Sequence, residues 1–194
     1  MTSTPRLKGE FLTDDLHRVL YATDASIYRE LPDAVALPRN EEDLIQIIRF
    51  AQQQQLPLIP RAVGTSLSGQ CVGKGIVVDT SRYFTQILEL NVEERWVRVQ
   101  PGIIRDELNR YLASHGLFFG PNTSTANRCM MGGMVGNNSC GSTSIKYGVT
   151  RDHVLQIRGI LSDGSRVFFG PLDSSALRQK LTLPTREGDI YRFI

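Results

Sequence analysis

The stretch 120–148 constrains this chain more than any other part of it. It carries six glycines, at 120, 132, 133, 136, 141 and 148, among Asn122, Asn127, Asn137, Asn138 and several serines and threonines. A stretch of that length without clear periodicity, inside a compact domain, is either functional or disordered. Met130, Met131, Met134 and Val135 lie among the glycines, and side chains of that size favour burial, so packed order is expected. The pair Gly132-Gly133 would let a flat ring approach the main chain closely, while neighbouring amides and hydroxyls bond the atoms at its edge.

A second segment has a related character. Leu58-Ile59-Pro60 reads as a strand, and it runs into Arg61-Ala62-Val63-Gly64-Thr65-Ser66-Leu67-Ser68-Gly69-Gln70. The segment has neither the lysine of a Walker loop nor the G-x-G-x-x-G spacing of a Rossmann turn. Gly64 can nevertheless adopt positive φ, which lets successive N–H groups converge on a phosphate, and Thr65, Ser66 and Ser68 add short hydroxyl donors. A diphosphate suits such a loop.

Charge supports an anionic ligand. A net charge of +2 is too small for a nucleic-acid surface, so no nucleic-acid partner is expected. The acids are unevenly spread, however. Residues 44–78 contain none, although Arg49, Arg61 and Lys74 are there, and residues 108–151 contain none, although Arg110, Arg128, Lys146 and Arg151 are. Each window holds one glycine segment, where a carboxylate would repel an anion.

The remaining pattern gives a frame. Val35 to Leu37 is a short apolar run; Asn40 then offers an N-cap, Glu41, Glu42 and Asp43 favour a first helical turn, and Leu44, Ile47, Ile48 and Ala51 recur at helical spacing. Ile76 to Asp79 reads as a strand leaving the first glycine loop. Ile87 to Leu90 and Trp96 to Val99 form a candidate hairpin, and Ile104, Leu108, Tyr111 and Leu112 mark a helix that Gly116 stops. Residues 154–161 and 166–169 pair around Asp163-Gly164, a strong tight-turn signal. A last helix is expected from about Glu187. The fold class is therefore α+β, two small α/β lobes with a ligand between them. Residues 1–30 are expected to be an N-terminal extension, 31–170 the ligand-binding domain with subdomains of about 31–100 and 101–170, and 171–194 the start of a truncated following region.

Cys71, Cys129 and Cys140 are odd in number and lack paired short spacing, so they are expected as reduced thiols filling tight places, and no metal site is expected. No run of eighteen apolar residues and no signal-peptide pattern occurs, so no transmembrane segment is expected and the location is read as cytoplasmic, with peripheral membrane attachment through the parent protein left open. His17, His115 and His153 are expected at the surface or in turns.

The motifs together resemble one family. Asp24-Ala25-Ser26-Ile27-Tyr28, Pro38-Arg39-Asn40, residues 61–70, Gly132-Gly133-Met134-Val135-Gly136-Asn137-Asn138-Ser139, Lys146-Tyr147-Gly148 and the Asp163-Gly164 turn are similar, in family order, to the PCMH-type FAD-binding domain of the vanillyl-alcohol oxidase and p-cresol methylhydroxylase family. The branch is that of D-lactate dehydrogenase and the glycolate oxidase D-subunit, and the likeness covers about 21–170. The resemblance implies FAD between the two lobes. Arg61, Ala62, Val63, Gly64, Thr65, Ser66 and Leu67 would wrap its pyrophosphate. Pro121, Thr123, Ser124, Thr125, Gly132 and Gly133, with Asn137, Asn138, Ser139 and Gly141, would border the flavin ring and ribityl chain. Tyr147, Gly148, Asp152 and Val154 would approach the cofactor.

Some family members attach FAD through a histidine directly after the loop glycine; that position here is Thr65, so non-covalent FAD is implied. The family transfers a hydride from a D-2-hydroxy acid (lactate, glycolate or 2-hydroxyglutarate type) to the flavin. A small-molecule substrate would be bound mainly by a C-terminal region beyond this chain, which also holds catalytic residues not identifiable here. An iron–sulfur electron-transfer partner or domain is a further implication. Two alternatives stay open: an FAD-fold fragment with no activity alone, and a flavoprotein reductase of the cell-wall-precursor type.

Overall fold

A computed structural model describes residues 4–194; the first three residues of the N-terminal extension lie outside it. The central sheet has four strands, β1 (Glu10–Leu12), β2 (Ala34–Leu37), β3 (Leu58–Arg61) and β4 (Ile76–Asp79), in the order β1-β2-β4-β3. Strands β2 and β3 both run parallel to β4, and β1 is antiparallel to β2. Every residue of β2 and β4 is buried, as expected of parallel strands covered on both faces, which therefore read as unbroken apolar runs. Pro60 sits in β3 at the sheet edge, where its missing N–H costs no ladder bond.

Helix α1 (Asp15–Leu20) precedes β2, and α2 (Glu41–Gln54) joins β2 to β3. Asn40 caps α2 by accepting from the Asp43 N–H at 2.9 Å, and the helix ends at Gln55 in the left-handed region, φ 54°. The Asp43 side chain is 1% exposed. It accepts from the main-chain N–H groups of Lys8, Gly9 and Arg39 at 2.8, 2.9 and 2.9 Å. This buried carboxylate thus ties residues 8 and 9 to the N-terminus of α2.

Two cores organise the molecule. The first packs Ile47, Phe50 and Ala51 of α2 against Ala34 and Ala36 of β2 and Ile76 and Val78 of β4. The second gathers Ile103, Leu108, Leu112, Cys129, Met131 and Met134, from α3 (Arg105–Ala113) and α4 (Met131–Gly136) with their flanks. The hairpin of β5 (Ile87–Asn91) and β6 (Trp96–Val99) turns Ile87, Leu90, Val97 and Val99 onto this second core. Its side chains therefore join residues the sequence reading places after 100, because alternation in the hairpin exposes one apolar face to whichever core lies beneath it.

The later elements are α5 (Ser144–Tyr147), a 3-10 turn at Thr150–His153, the hairpin β7 (Ile157–Ile160) and β8 (Arg166–Phe169), α6 (Ser174–Leu181) and α7 (Arg186–Phe193). The β7–β8 hairpin returns to the first lobe. Arg158 and Arg166 reach Glu41 at 2.9 and 3.1 Å, Arg166 also reaches Glu42 at 3.0 Å, and Gln52 donates to the Ser162 carbonyl at 2.6 Å. The chain thus passes from the first core to the second and back to α2.

Candidate cofactor site

The first glycine loop begins where β3 ends. Thr80 donates from its N–H to the Arg61 carbonyl at 2.9 Å, so the loop's first residue is anchored in the sheet. Gly64 then takes φ +80° and Gly69 φ +72°, conformations costly to residues with a Cβ. Among the described residues, no main-chain N–H from 62 to 67 has a hydrogen-bond acceptor, and Thr65 and Ser66 are half-buried. An N–H group buried away from water is ordinarily paired, whereas these six belong to half-buried or exposed residues and are free to serve a ligand. A run of uncommitted donors fits an anionic ligand.

Arg61 behaves differently from its neighbours. Its Nη1 donates to the Thr23 carbonyl at 2.8 Å and lies 3.4 Å from the carbonyls of both Tyr21 and Cys71, and the guanidinium sits 5.2 Å from the centroid of the Tyr21 ring. Tyr21 is fixed in turn by a 2.6 Å bond from its hydroxyl to Asp79. Burial, followed by the Asp79 hydrogen bond and charge, raises the Tyr21 pKa above its ordinary value.

The second glycine segment is braced internally. Thr143 Oγ1 donates to the Gly120 carbonyl at 2.9 Å, and the fully buried Thr150 donates to the Ser139 carbonyl from both its N–H, at 3.1 Å, and its hydroxyl, at 2.6 Å. Asn138, at φ 46°, accepts from the Arg151 N–H at 3.0 Å through Oδ1. Pro121 is buried and its carbonyl accepts from Arg105 Nε at 3.1 Å. The Thr123 hydroxyl lies 3.4 Å from that of Thr125 and 3.3 Å from Cys129 Sγ, while Ser124 is exposed.

The glycines of this segment divide by what surrounds them. A Cβ on Gly132 would meet Pro101 Cβ at 2.5 Å, one on Gly120 would meet Tyr147 Cβ at 2.7 Å, and one on Gly141 would collide with the Asn122 carbonyl. Packing alone explains those three. At Gly133 the nearest atom is Ala62 Cβ at 3.6 Å, and at Gly136 nothing lies within 4 Å. These two stand i, i+3 on one face of α4, exposed, with no steric reason within this chain to lack a side chain. Gly136 is the position the sequence reading passed over. Its signal was the spacing from Gly133, which matters only once the segment is known to be helical.

The two segments meet. Gln70 Nε2 donates to Asn137 Oδ1 at 2.8 Å, and Ala62 faces Gly133. Tyr147, Gly148, Asp152 and Val154 border the second segment. Gly148 takes φ +75° over the Asp152 carboxylate, which accepts from the Val149 N–H at 2.8 Å, and the half-buried Val154 closes the 3-10 turn. Asp152 is thus engaged in its own turn. Tyr147 stacks edge-on with Phe118, centroids 5.2 Å apart, and His153 Nε2 lies 2.6 Å from the Tyr147 carbonyl.

The cysteines split. Cys71 and Cys129 are buried free thiols, but Cys140, expected in a tight place, is exposed. Burial pushes the Cys71 thiol up to about 11, opposed by the nearby Arg61 charge. Asp24, distant in sequence from the acid-free window, comes within 3.4 Å of Cys71 Sγ. Burial disfavours its charge, but hydrogen bonds from Ser26 and Cys71 and the Arg61 charge together hold its pKa below the ordinary value. Among the described residues, no group of three or more His, Cys, Asp or Glu side chains gathers as a metal site, and no helix is long and apolar enough to cross a membrane.

Known proteins give this geometry a family. Residues 32–170 match the family model described as FAD binding domain. The chain is 45% identical over 188 residues to the D-2-hydroxyglutarate dehydrogenase of Pseudomonas putida, covering 95% of this chain and 19% of that protein. It is 36% identical to the glycolate oxidase subunit GlcD of Bacillus subtilis, covering 79% of this chain and 33% of the relative. In structure it is similar to 6-hydroxy-D-nicotine oxidase from Arthrobacter nicotinovorans, with a TM-score of 0.75 over 88% of this chain and 37% of that one at 21% identity, a likeness of fold. This chain, spanning about a fifth of the length of the first of these relatives, belongs to the FAD-binding-domain family and has its PCMH-type fold.

Proposed function

We propose that the protein containing this chain is an FAD-linked dehydrogenase that oxidises a D-2-hydroxy acid, and that these residues hold its FAD without a covalent link. The observation that carries the reading is the meeting of two acid-poor glycine segments at Gln70–Asn137 and Ala62–Gly133. The main-chain N–H groups of 62–67 and the hydroxyls of Thr65 and Ser66 would hold the pyrophosphate. Gly133 and Gly136 would admit the flavin. Pro121, Thr123, Ser124, Thr125 and Gly132 would support the ring and ribityl chain, as would Asn137, Asn138, Ser139 and Gly141, with Tyr147, Gly148, Asp152 and Val154 at the margin. FAD, when bound, supplies the hydride acceptor. The chain's own part is to fix the cofactor and keep carboxylates away from its phosphates.

Among D-2-hydroxy acids, D-2-hydroxyglutarate is the substrate of choice, because the relative sharing 45% of the sequence is named for it. Residues outside this chain would bind the substrate and pass electrons on, to an iron–sulfur partner or domain in our reading. The free thiols of Cys71, Cys129 and Cys140 favour a cytoplasmic setting.

The test has two stages. The purified chain should quench added FAD fluorescence and raise its thermal midpoint with FAD, and acid precipitation should release all flavin into solution; neither quenching nor a shift rejects the cofactor role. The full-length protein should then bleach under anaerobic conditions with D-2-hydroxyglutarate, more weakly with D-lactate or glycolate. Bleaching by NADPH and by none of the three acids would instead establish the cell-wall-precursor-type reductase.

A further inference from the structure

We propose that residues 21–28, which lie ahead of the 32–170 matched by the family model, form a latch that shapes the pyrophosphate loop, and that Arg61 is the positioning residue of this latch rather than a phosphate ligand. The inference rests on the FAD reading above. Four separate contacts join this short segment to the loop. Arg61 Nη1 reaches the Thr23 carbonyl at 2.8 Å and the Tyr21 carbonyl at 3.4 Å, and the guanidinium lies over the Tyr21 ring. Ala25 donates from its N–H to the Gly64 carbonyl at 3.1 Å. Cys71 Sγ donates to Asp24 Oδ2 at 3.4 Å. The Tyr28 ring fills the space beside Gly69, where a Cβ would come within 2.7 Å of Cδ2.

These contacts fall at 61, 64, 69 and 71, so they grip the loop along its length. The physical logic follows from the guanidinium. It lies over the Tyr21 ring, and this stacking, which an ammonium on a flexible stem does not reproduce, holds Nη1 among the carbonyls of Thr23, Tyr21 and Cys71. Here it bridges the latch to the loop's far end at Cys71, whose carbonyl is 3.4 Å away. It also lies against Gly64, where a Cβ would meet Nη2 at 2.5 Å. With the Gly64 carbonyl drawn to Ala25 and the Arg61 guanidinium held by carbonyls, the N–H groups of 62–67 are left without internal acceptors. A loop fixed in this way before the ligand arrives avoids ordering costs on binding.

The test uses the 194-residue chain and three variants: Arg61→Ala, Arg61→Lys and Ala25→Pro, the last deleting one N–H while leaving Arg61 intact. FAD affinity is measured by fluorescence quenching across a salt series, and hydrogen exchange of the Ala25 amide is followed by NMR in the FAD-free protein. The latch requires all three variants to weaken FAD about tenfold, with a salt dependence like that of the parent. It also requires the Ala25 amide to exchange about tenfold faster in Arg61→Ala. Two results overturn it: Arg61→Lys keeping FAD affinity within about threefold while Arg61→Ala loses it with a flatter salt dependence, or Ala25→Pro binding FAD normally. If Arg61→Ala does not fold, Arg61→Lys serves for both readouts. If the parent chain binds no FAD, the cofactor reading fails, and the Ala25 exchange rate alone decides whether the latch exists.

Discussion

The two glycine segments reach similar permissiveness by opposite means. Residues 120–148 are braced by side chains of their own and of the turn that follows: Thr143 holds the Gly120 carbonyl, Thr150 holds that of Ser139, and Met131 and Met134 plug the segment into the second core. Residues 61–71 have no such plug. They are shaped from outside by 21–28, with Cys71 as their one buried side chain. A segment built on its own core is rigid and tolerates loss of a peripheral bond, whereas a loop held by a neighbour keeps its donors free and depends on that neighbour.

The comparison is most severely challenged by Met134→Ala. Met134 is 1% exposed, so truncation should cost about 2–4 kcal/mol, read as a lower urea midpoint. A loss under about 1 kcal/mol would mean that the second segment does not depend on its core. Next comes alkaline stability in the first loop. The folded Cys71 pKa is raised from 9.0 to about 11, so the folded state holds this proton more tightly than the unfolded chain does. Its contribution is complete below pH 9.0 and is lost as pH rises through about 11. Cys71→Ala should therefore flatten the fall in stability across that window, by about 2 kcal/mol at most; an unchanged pH profile would remove Cys71 from the account.

Gly64→Ala is smaller in stability and larger in binding. Positive φ costs a residue with a Cβ about 1–2 kcal/mol, and the added methyl presses on the Arg61 guanidinium, so FAD affinity should fall more than thermal stability does. Equal loss of both would make Gly64 an ordinary turn residue. The smallest effect belongs to Gln70→Ala, which removes an exposed bond between the two segments. About 0.5 kcal/mol is expected, with a Kd for FAD about twofold to threefold weaker. A much larger loss would show that the segments are held together there rather than by their separate supports.

Much of this was readable in the residues. Asn40 followed by three acids announced α2, the unbroken apolar runs announced β2 and β4, and Asp163-Gly164 announced the β7–β8 turn. Local chemistry decides those features, and a local window contains it. The elements missed were β1, α1, α4, α5 and α6. Strand β1 is three residues long and exists because β2 offers it an edge; no propensity in Glu10-Phe11-Leu12 predicts that partner. Helix α4, Met131–Gly136, is half glycine and helical against propensity; burial of Met131 and Met134 on one side overrides it.

By itself, then, the sequence determined which segments could approach an anion: glycine where φ must be positive, hydroxyls nearby, and no acid within either window. Tertiary structure decided which of those groups are available. It turned Arg61 onto carbonyls, drew Asp24 beside Cys71, engaged Asp152 in its own turn, and left Gly133 and Gly136 uncovered. The reason is physical: residue type sets which hydrogen bonds and conformations a group can adopt, but whether a donor is already taken depends on neighbours that only folding brings near.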